Sequence, residues 1–315
     1  MSMLTAAILF AAGLALVLFF SEKLVEGTVG SSLHFGLSAF LISIIFIGFD
    51  PENLAVGAVA SWEGASGIAL GSIMGAAMVA VALAFGFTAL VAPMEFESAP
   101  GPVLAVPVAA VLLPGLLGWD GQLSRVDGAL LLAAYAGGVG WLLRMGRRGL
   151  EIRAGGEMAE VFEKERPPGR GKSLALLAGS LVAITAGSEL LVRSSERLVG
   201  GFGLSETVFG MTLLALLVSV EEVARELPAA LKGRPDISVG NVLGSVLAFF
   251  LFNAGAIALV RPLPVSTEIL AFYWPFCVAA VLIVTFCMWR RRVSRPAGAL
   301  LLALYACFFA GAWLI

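Results

Sequence analysis

The chain has 315 residues, of which 59% are hydrophobic and 13% charged, and its formal net charge is −2. A soluble globule carries about 25% charged residues, so a water-soluble domain is excluded, and no basic face is available for nucleic acid. A single histidine and three cysteines, at spacings that fit no metal site, exclude a histidine zinc site, a Ser-His-Asp triad and a disulfide framework.

In chain order, the first apolar block, Met3 to Phe20, has no basic residue before it and no small-residue cleavage site after it. It reads as a retained span rather than a signal peptide. About 20 residues of helix cross a bilayer, and blocks of that length recur along the chain. Apolar runs read against breakers predict spans near 3–30, 36–62, 67–93, 102–118 and 127–145, then 173–200, 204–231, 236–260, 268–289 and 297–315. His34, near a helix junction, reads as a solvated or hydrogen-bonded residue. Between the two sets lies a polar stretch, Gly146 to Lys172, rich in Arg, Lys, Glu, Gly and Pro. The expected organisation is therefore a first five-helix unit (1–145), a connector (146–172) and a second five-helix unit (173–315).

Basic residues set the orientation. Arg144, Arg147, Arg148, Arg153, Lys164, Arg166, Arg170 and Lys172 flank or fill the connector. Lys232 and Arg234 follow the seventh span, and Arg290, Arg291, Arg292 and Arg295 follow the ninth. With the N-terminus outside, all three groups lie in the cytoplasm, as the positive-inside rule requires. Trp62, Trp141 and Trp289 fall near span ends, where an aromatic belt belongs. Five spans per half is an odd number, so the second half lies inverted relative to the first. The halves also share an order of motifs. Phe20-Ser-Glu-Lys-Leu-Val25, Gly36-Leu-Ser38 and Glu63-Gly-Ala-Ser-Gly-Ile-Ala-Leu-Gly71 answer Gly187-Ser-Glu-Leu-Leu-Val192, Gly203-Leu-Ser205 and Lys232-Gly-Arg-Pro-Asp-Ile-Ser-Val-Gly240. The fold class expected is an all-α membrane protein of ten transmembrane helices in two inverted repeats. In such repeats, broken helices meet at the midplane to form one substrate site.

Five acids fall within the predicted spans: Asp50 and Glu52 in the second, and Glu221, Glu222 and Glu226 in the seventh. Facing lipid they would together cost roughly 12–18 kcal/mol at about 2.5–3.5 each, so they must face a protein-lined interior. Asp50, Asn53 and Gly57 share one helical face, and Ser219, Glu222 and Glu226 the equivalent face. Oxygen donors of this kind suit hard cations such as sodium and calcium. Pro51 lacks a backbone donor, and a break beside Gly48 would free carbonyl oxygens at the same depth. Simpler roles apply elsewhere. Glu221 and Arg225 at i and i+4 form an ion pair. Glu22, Glu26, Glu189 and Glu196 mark solvated rims beside Lys23, Arg193 and Arg197. Asp236 reads as an N-cap. The glycine-rich runs Gly67–Gly75 and Gly240–Gly244 lack a Gly-Lys-Ser/Thr ending and serve close helix packing.

The segment Gly203-Leu-Ser-Glu-Thr-Val-Phe-Gly-Met-Thr-Leu-Leu-Ala, then Ser219-Val-Glu-Glu222, then Lys232-Gly-Arg-Pro-Asp-Ile-Ser-Val-Gly-Asn-Val-Leu-Gly-Ser245 resembles the alpha-repeat of the cation/calcium exchanger superfamily. The first half carries a weaker copy. The resemblance implies ten helices in two inverted repeats, with a site between the second, third, seventh and eighth. It places the family's second-half glutamate on Glu222, the serine one turn earlier on Ser219 and a later serine on Ser245. In the first half the glutamate position holds Asn53 and the serine position Asp50, while Ala76 and Ala77 replace the later serine and asparagine; either Glu52 or Asp50 takes the place of the missing carboxylate. The candidate ligands are thus Asp50, Glu52, Asn53, Ser219, Glu222, Glu226 and Ser245. The expected function is a multi-pass antiporter of the cell membrane exchanging calcium for sodium or protons, with no cofactor and no enzymatic activity. The alternatives are a relative with altered ion specificity, an intramembrane enzyme acting on a polyprenyl phosphate and a non-transporting scaffold. Against the enzyme stands the lack of an aspartate-rich diphosphate motif.

Overall fold

A computed structural model of the chain describes residues 2–34, 50–95, 101–146, 169–219, 221–231 and 235–314. The chain is mostly helical. α1 is Met3–His34, α2 Pro51–Glu63, α3 Ser66–Val91, α4 Gly101–Leu117 and α5 Arg125–Gly146. α6 is Arg170–Phe202, α7 Glu206–Val218 and α8 Glu221–Leu231. α9 runs from Pro235–Leu247 through a π-helical stretch, Ala248–Asn253, into Ala254–Val260. α10 is Ile269–Trp289 and α11 Arg295–Gly311. Among the described residues, six helices are long and apolar enough to cross a bilayer, and two shorter apolar ones accompany them. This is a multi-pass membrane protein.

The described helices overlap the predicted spans, with two local differences, and the 36–49 part of the second span lies outside the described residues. The seventh span is interrupted at Ser219, whose φ of −106° and ψ of 14° leave the helical region, so α7 and α8 are separate segments. Pro235 opens α9, where its fixed φ and missing donor cost nothing. Asp236 therefore lies inside the first turn rather than capping it. The break anticipated beside Gly48, the Gly36-Leu-Ser38 motif, most of the connector and the side chains of Glu221, Arg225 and His34 lie outside the described residues.

Burial separates centre from periphery. Of the most apolar stretch of each helix, 94% is buried in α3 and 78% in α9, against 22% in α1 and 33% in α6 and α10. A helix that is apolar all round and covered by protein belongs at the centre; the others present apolar surface to lipid. Two close crossings hold the centre to its neighbours. A Cβ on Gly298 of α11 would lie 2.6 Å from Gly86 O of α3, and one on Gly255 of α9 would lie 2.8 Å from Gly128 O of α5. Only glycine permits such backbone approach.

Among the described residues, four two-residue strands tie the helix ends. β1 (Met94–Glu95) pairs antiparallel with β4 (Arg292–Val293), and β2 (Gln122–Leu123) with β3 (Leu263–Pro264). β1 and β2 precede the connector, β3 and β4 follow it, so each ladder joins one half of the chain to the other. Ion pairs join acids and bases of α1, α2 and α6: Lys23 with Glu26 at 3.3 Å, and Arg193 with Glu189 at 2.6 Å and Glu63 at 3.2 Å. All three cysteines are free thiols.

Candidate cation site

The site is built on two helix starts. α2 begins after Asp50, whose extended backbone (φ −128°, ψ 90°) makes it the N-cap. Its Oδ1 accepts from the Asn53 backbone N–H at 2.8 Å, satisfying one donor that a helix start leaves open. α8 begins just after Ser219, with Glu222 at its second position; the Glu222 N–H donates to Ser219 O at 3.1 Å. Acidic side chains at both starts complement the positive ends of the helix dipoles, which keeps carboxylates at this depth.

Asn53 links the two starts. Its Nδ2 donates to Asp50 Oδ2 at 2.9 Å and to Ser219 Oγ at 2.9 Å. A carboxylate only accepts, so this bond fixes the amide with its nitrogen towards Asp50. Both amide hydrogens are then used, and Asn53 Oδ1 is buried without a hydrogen-bond partner. One turn further, α8 and α9 form a second group. Asn241 Nδ2 donates to Glu222 Oε2 at 2.9 Å and to Glu226 Oε1 at 3.2 Å. Ser238 Oγ donates to Glu226 O at 3.2 Å. Glu226 Oε2 is a second buried acceptor without a hydrogen-bond partner.

All seven sequence-predicted ligands lie inside the protein, none more than 4% exposed. The structure joins Asp50, Asn53 and Ser219 in one hydrogen-bonded group and Glu222 and Glu226 in the next. Ser245 stands one turn beyond Asn241 on the same face of α9. Glu52 is buried in the first turn of α2, and it, Asp50 and Glu222 engage further partners. Among the described residues no group of three or more His, Cys, Asp or Glu is placed to hold a metal. The buried oxygens gathered here are amide and hydroxyl as well as carboxylate, a donor set of the kind that suits calcium or sodium. Asn241 was missed by sequence reasoning. Its signal was its place four residues before Ser245 in Gly240-Asn-Val-Leu-Gly-Ser245.

The two groups occupy matching places. Asp50, Asn53 and Gly57 stand in α2 as Ser219, Glu222 and Glu226 stand about α8, and Ser72 of α3 lies against Gly57 as Asn241 lies against Glu226. The sequence profile described as sodium/calcium exchanger protein matches residues 5–144 and 172–314, nearly all of both halves. The chain belongs to the sodium/calcium exchanger family. Among its relatives, the putative antiporter CaxA of Alkalimonas amylolytica is 27% identical over 95% of this chain and 96% of its own. The sodium/calcium exchanger MaX1 of Methanosarcina acetivorans is 24% identical over 94% and 95%. A solved structure of the sodium-calcium exchanger NCX_Mj, soaked with sodium and calcium, superposes with a TM-score of 0.62 at 25% identity, covering 97% of this chain and 98% of that one. These relatives are exchangers and antiporters, not enzymes. Within this exchanger family the chain is a membrane protein whose four buried candidate acids divide evenly, Asp50 and Glu52 from the first half and Glu222 and Glu226 from the second.

Proposed function

We propose that this protein is a secondary-active antiporter exchanging calcium for sodium or protons by alternating access. The observation that carries the reading is the pair of matched helix starts, bridged by Asn53 Nδ2 between Asp50 and Ser219 and continued to Glu222, Glu226 and Asn241. Asp50, Glu52, Asn53, Ser219, Glu222, Glu226 and Ser245 bind the ion, with Asn241 holding the two glutamates in place. The transported cations are the only ligands required; no cofactor takes part.

The architecture proposed is ten transmembrane helices in two inverted five-helix repeats, residues 1–145 and 173–315, with α7 and α8 as one broken span. The cross-paired strands support it, because exchanging the halves turns the β1–β4 ladder into the β2–β3 ladder. The two glycine crossings support it in the same way, because exchange turns α3 with α11 into α9 with α5. The N-terminus lies outside and the 146–172 connector in the cytoplasm, which puts Arg290–Arg292 and the β1–β4 ladder inside.

Calcium uptake into proteoliposomes, driven by an outward sodium or pH gradient, is the test. The wild type accumulates calcium and Glu222→Gln does not. Undiminished uptake by Glu222→Gln refutes the site.

A further inference from the structure

Asn253 is fully buried in the π-helical stretch of α9, and neither its Oδ1 nor its Nδ2 has a hydrogen-bond partner. An amide stripped of water without a partner is costly, and an apolar residue would fill the place without that cost. Its position follows from how α9 meets α2. Ile257 reaches the space beside Gly57, Ser61 Oγ donates to Arg261 O at 3.2 Å, and Arg261 lies against Gly64. The two helices therefore run side by side in the same direction. One turn before Ile257 on the same face is Asn253; one turn before Gly57 is Asn53. The neighbouring residues of α9 point elsewhere: Phe252 packs on Tyr135 of α5, Gly255 on Gly128, and Phe250 and Ala254 line an apolar cavity with Leu70 and Trp274. By this register Asn253 precedes the Ile257–Gly57 contact by one turn on α9 as Asn53 precedes it by one turn on α2, and Asn53 Oδ1 is the other buried amide oxygen without a hydrogen-bond partner.

We infer that Asn253 is a ligand for a monovalent cation of the sodium class, bound between its Oδ1 and Asn53 Oδ1 on the first-half side of the site. This ligand assignment rests on the site being an exchanger centre and adds a residue and an ion class to it. The carboxylate beside these neutral amide and hydroxyl oxygens is Asp50, whose Oδ2 accepts from Asn53 Nδ2; one negative charge balances a monovalent ion and leaves a divalent one half offset. Calcium draws on Glu222 and Glu226 and does not need Asn253, so the two ions share Asn53 and differ at Asn253.

The experiment is a thermal-stability titration of the full-length protein in detergent with sodium chloride or calcium chloride, ionic strength being held with choline chloride. Bound cation stabilises the folded protein as ln(1 + [L]/Kd). Asn253→Leu is expected to raise the half-saturating sodium concentration at least tenfold and to leave that for calcium within about twofold. Asn253→Asp, which keeps an oxygen, restores the sodium response. A sodium response unchanged in Asn253→Leu, with only the ion-free stability altered, overturns the inference and marks Asn253 as a water-bridging residue. Equal loss of both responses in both variants overturns it too. Glu222→Gln is run in parallel: if it abolishes the calcium response while Asn253→Leu is silent, only this inference fails. Should Glu222→Gln change nothing, the exchanger site beneath it fails.

Discussion

At the scale of single residues, charge and amide orientation divide the work. The acids Asp50, Glu52, Glu222 and Glu226 were legible because a carboxylate in an apolar run demands a reason. Asn241 and Asn253 carry no charge and hide in the same runs, so only contacts reveal the first and only missing contacts the second. Asn241 donates one hydrogen to each glutamate, and hydrogen bonds to charged groups are worth about 1.5–3 kcal/mol each. Asn241→Leu frees two like charges to repel and is expected to weaken calcium binding by roughly ten- to a hundredfold, read as the half-saturating calcium concentration for uptake. Asp50 both caps α2 and brings charge. Asparagine caps as well as aspartate, so Asp50→Asn is expected to unfold near the wild-type temperature yet transport poorly. Asp50→Ala additionally loses about 1 kcal/mol of stability. If Asp50→Asn transports normally, Asp50 is a cap alone.

At the scale of elements, the positions of the spans follow from apolar length, and Pro51 announces the start of α2. The interruption at Ser219 has no such signal, because Ala215–Val218 before it is apolar and neither proline nor glycine stands at the break. What exposes it is the pairing of Ser219 with Asn53, 166 residues away, a contact that periodicity cannot foresee. The glycine crossings are likewise visible only in three dimensions: Gly86 and Gly255 look like any other helical glycines in sequence. Adding a Cβ at Gly255 or Gly298 forces it against backbone oxygen, and overpacking of this kind costs typically 1–3 kcal/mol. Gly255→Ala and Gly298→Ala are each expected to lower the thermal midpoint by a similar amount, since they occupy matching crossings. Gly137→Ala, with open space around its Cβ, gains about 0.5–1 kcal/mol of helix propensity instead. Opposite signs for the two kinds of glycine in one unfolding series would establish the crossings; equal signs would remove them as supports of the fold.

At the scale of the whole molecule, sidedness can be read from the ladders. β2 and β3 share one face and β1 and β4 share another, and Arg290–Arg292 adjoin the second. In a cysteine-free background, Gln122→Cys is expected to react with an impermeant thiol reagent applied to intact cells, and Arg292→Cys only after permeabilisation. The reverse labelling pattern would invert the topology.

The ladders have a further consequence. Each binds a turn from before the connector to a turn from after it, and the glycine crossings also bridge early helices to late ones. These ladders and crossings are all bonds between the two polypeptide halves. Severing the backbone anywhere in 147–168 removes none of these fastenings. Two separately translated fragments, expressed together, should find each other in the bilayer and exchange ions, whereas either one alone would have bare ladders and an unfinished site.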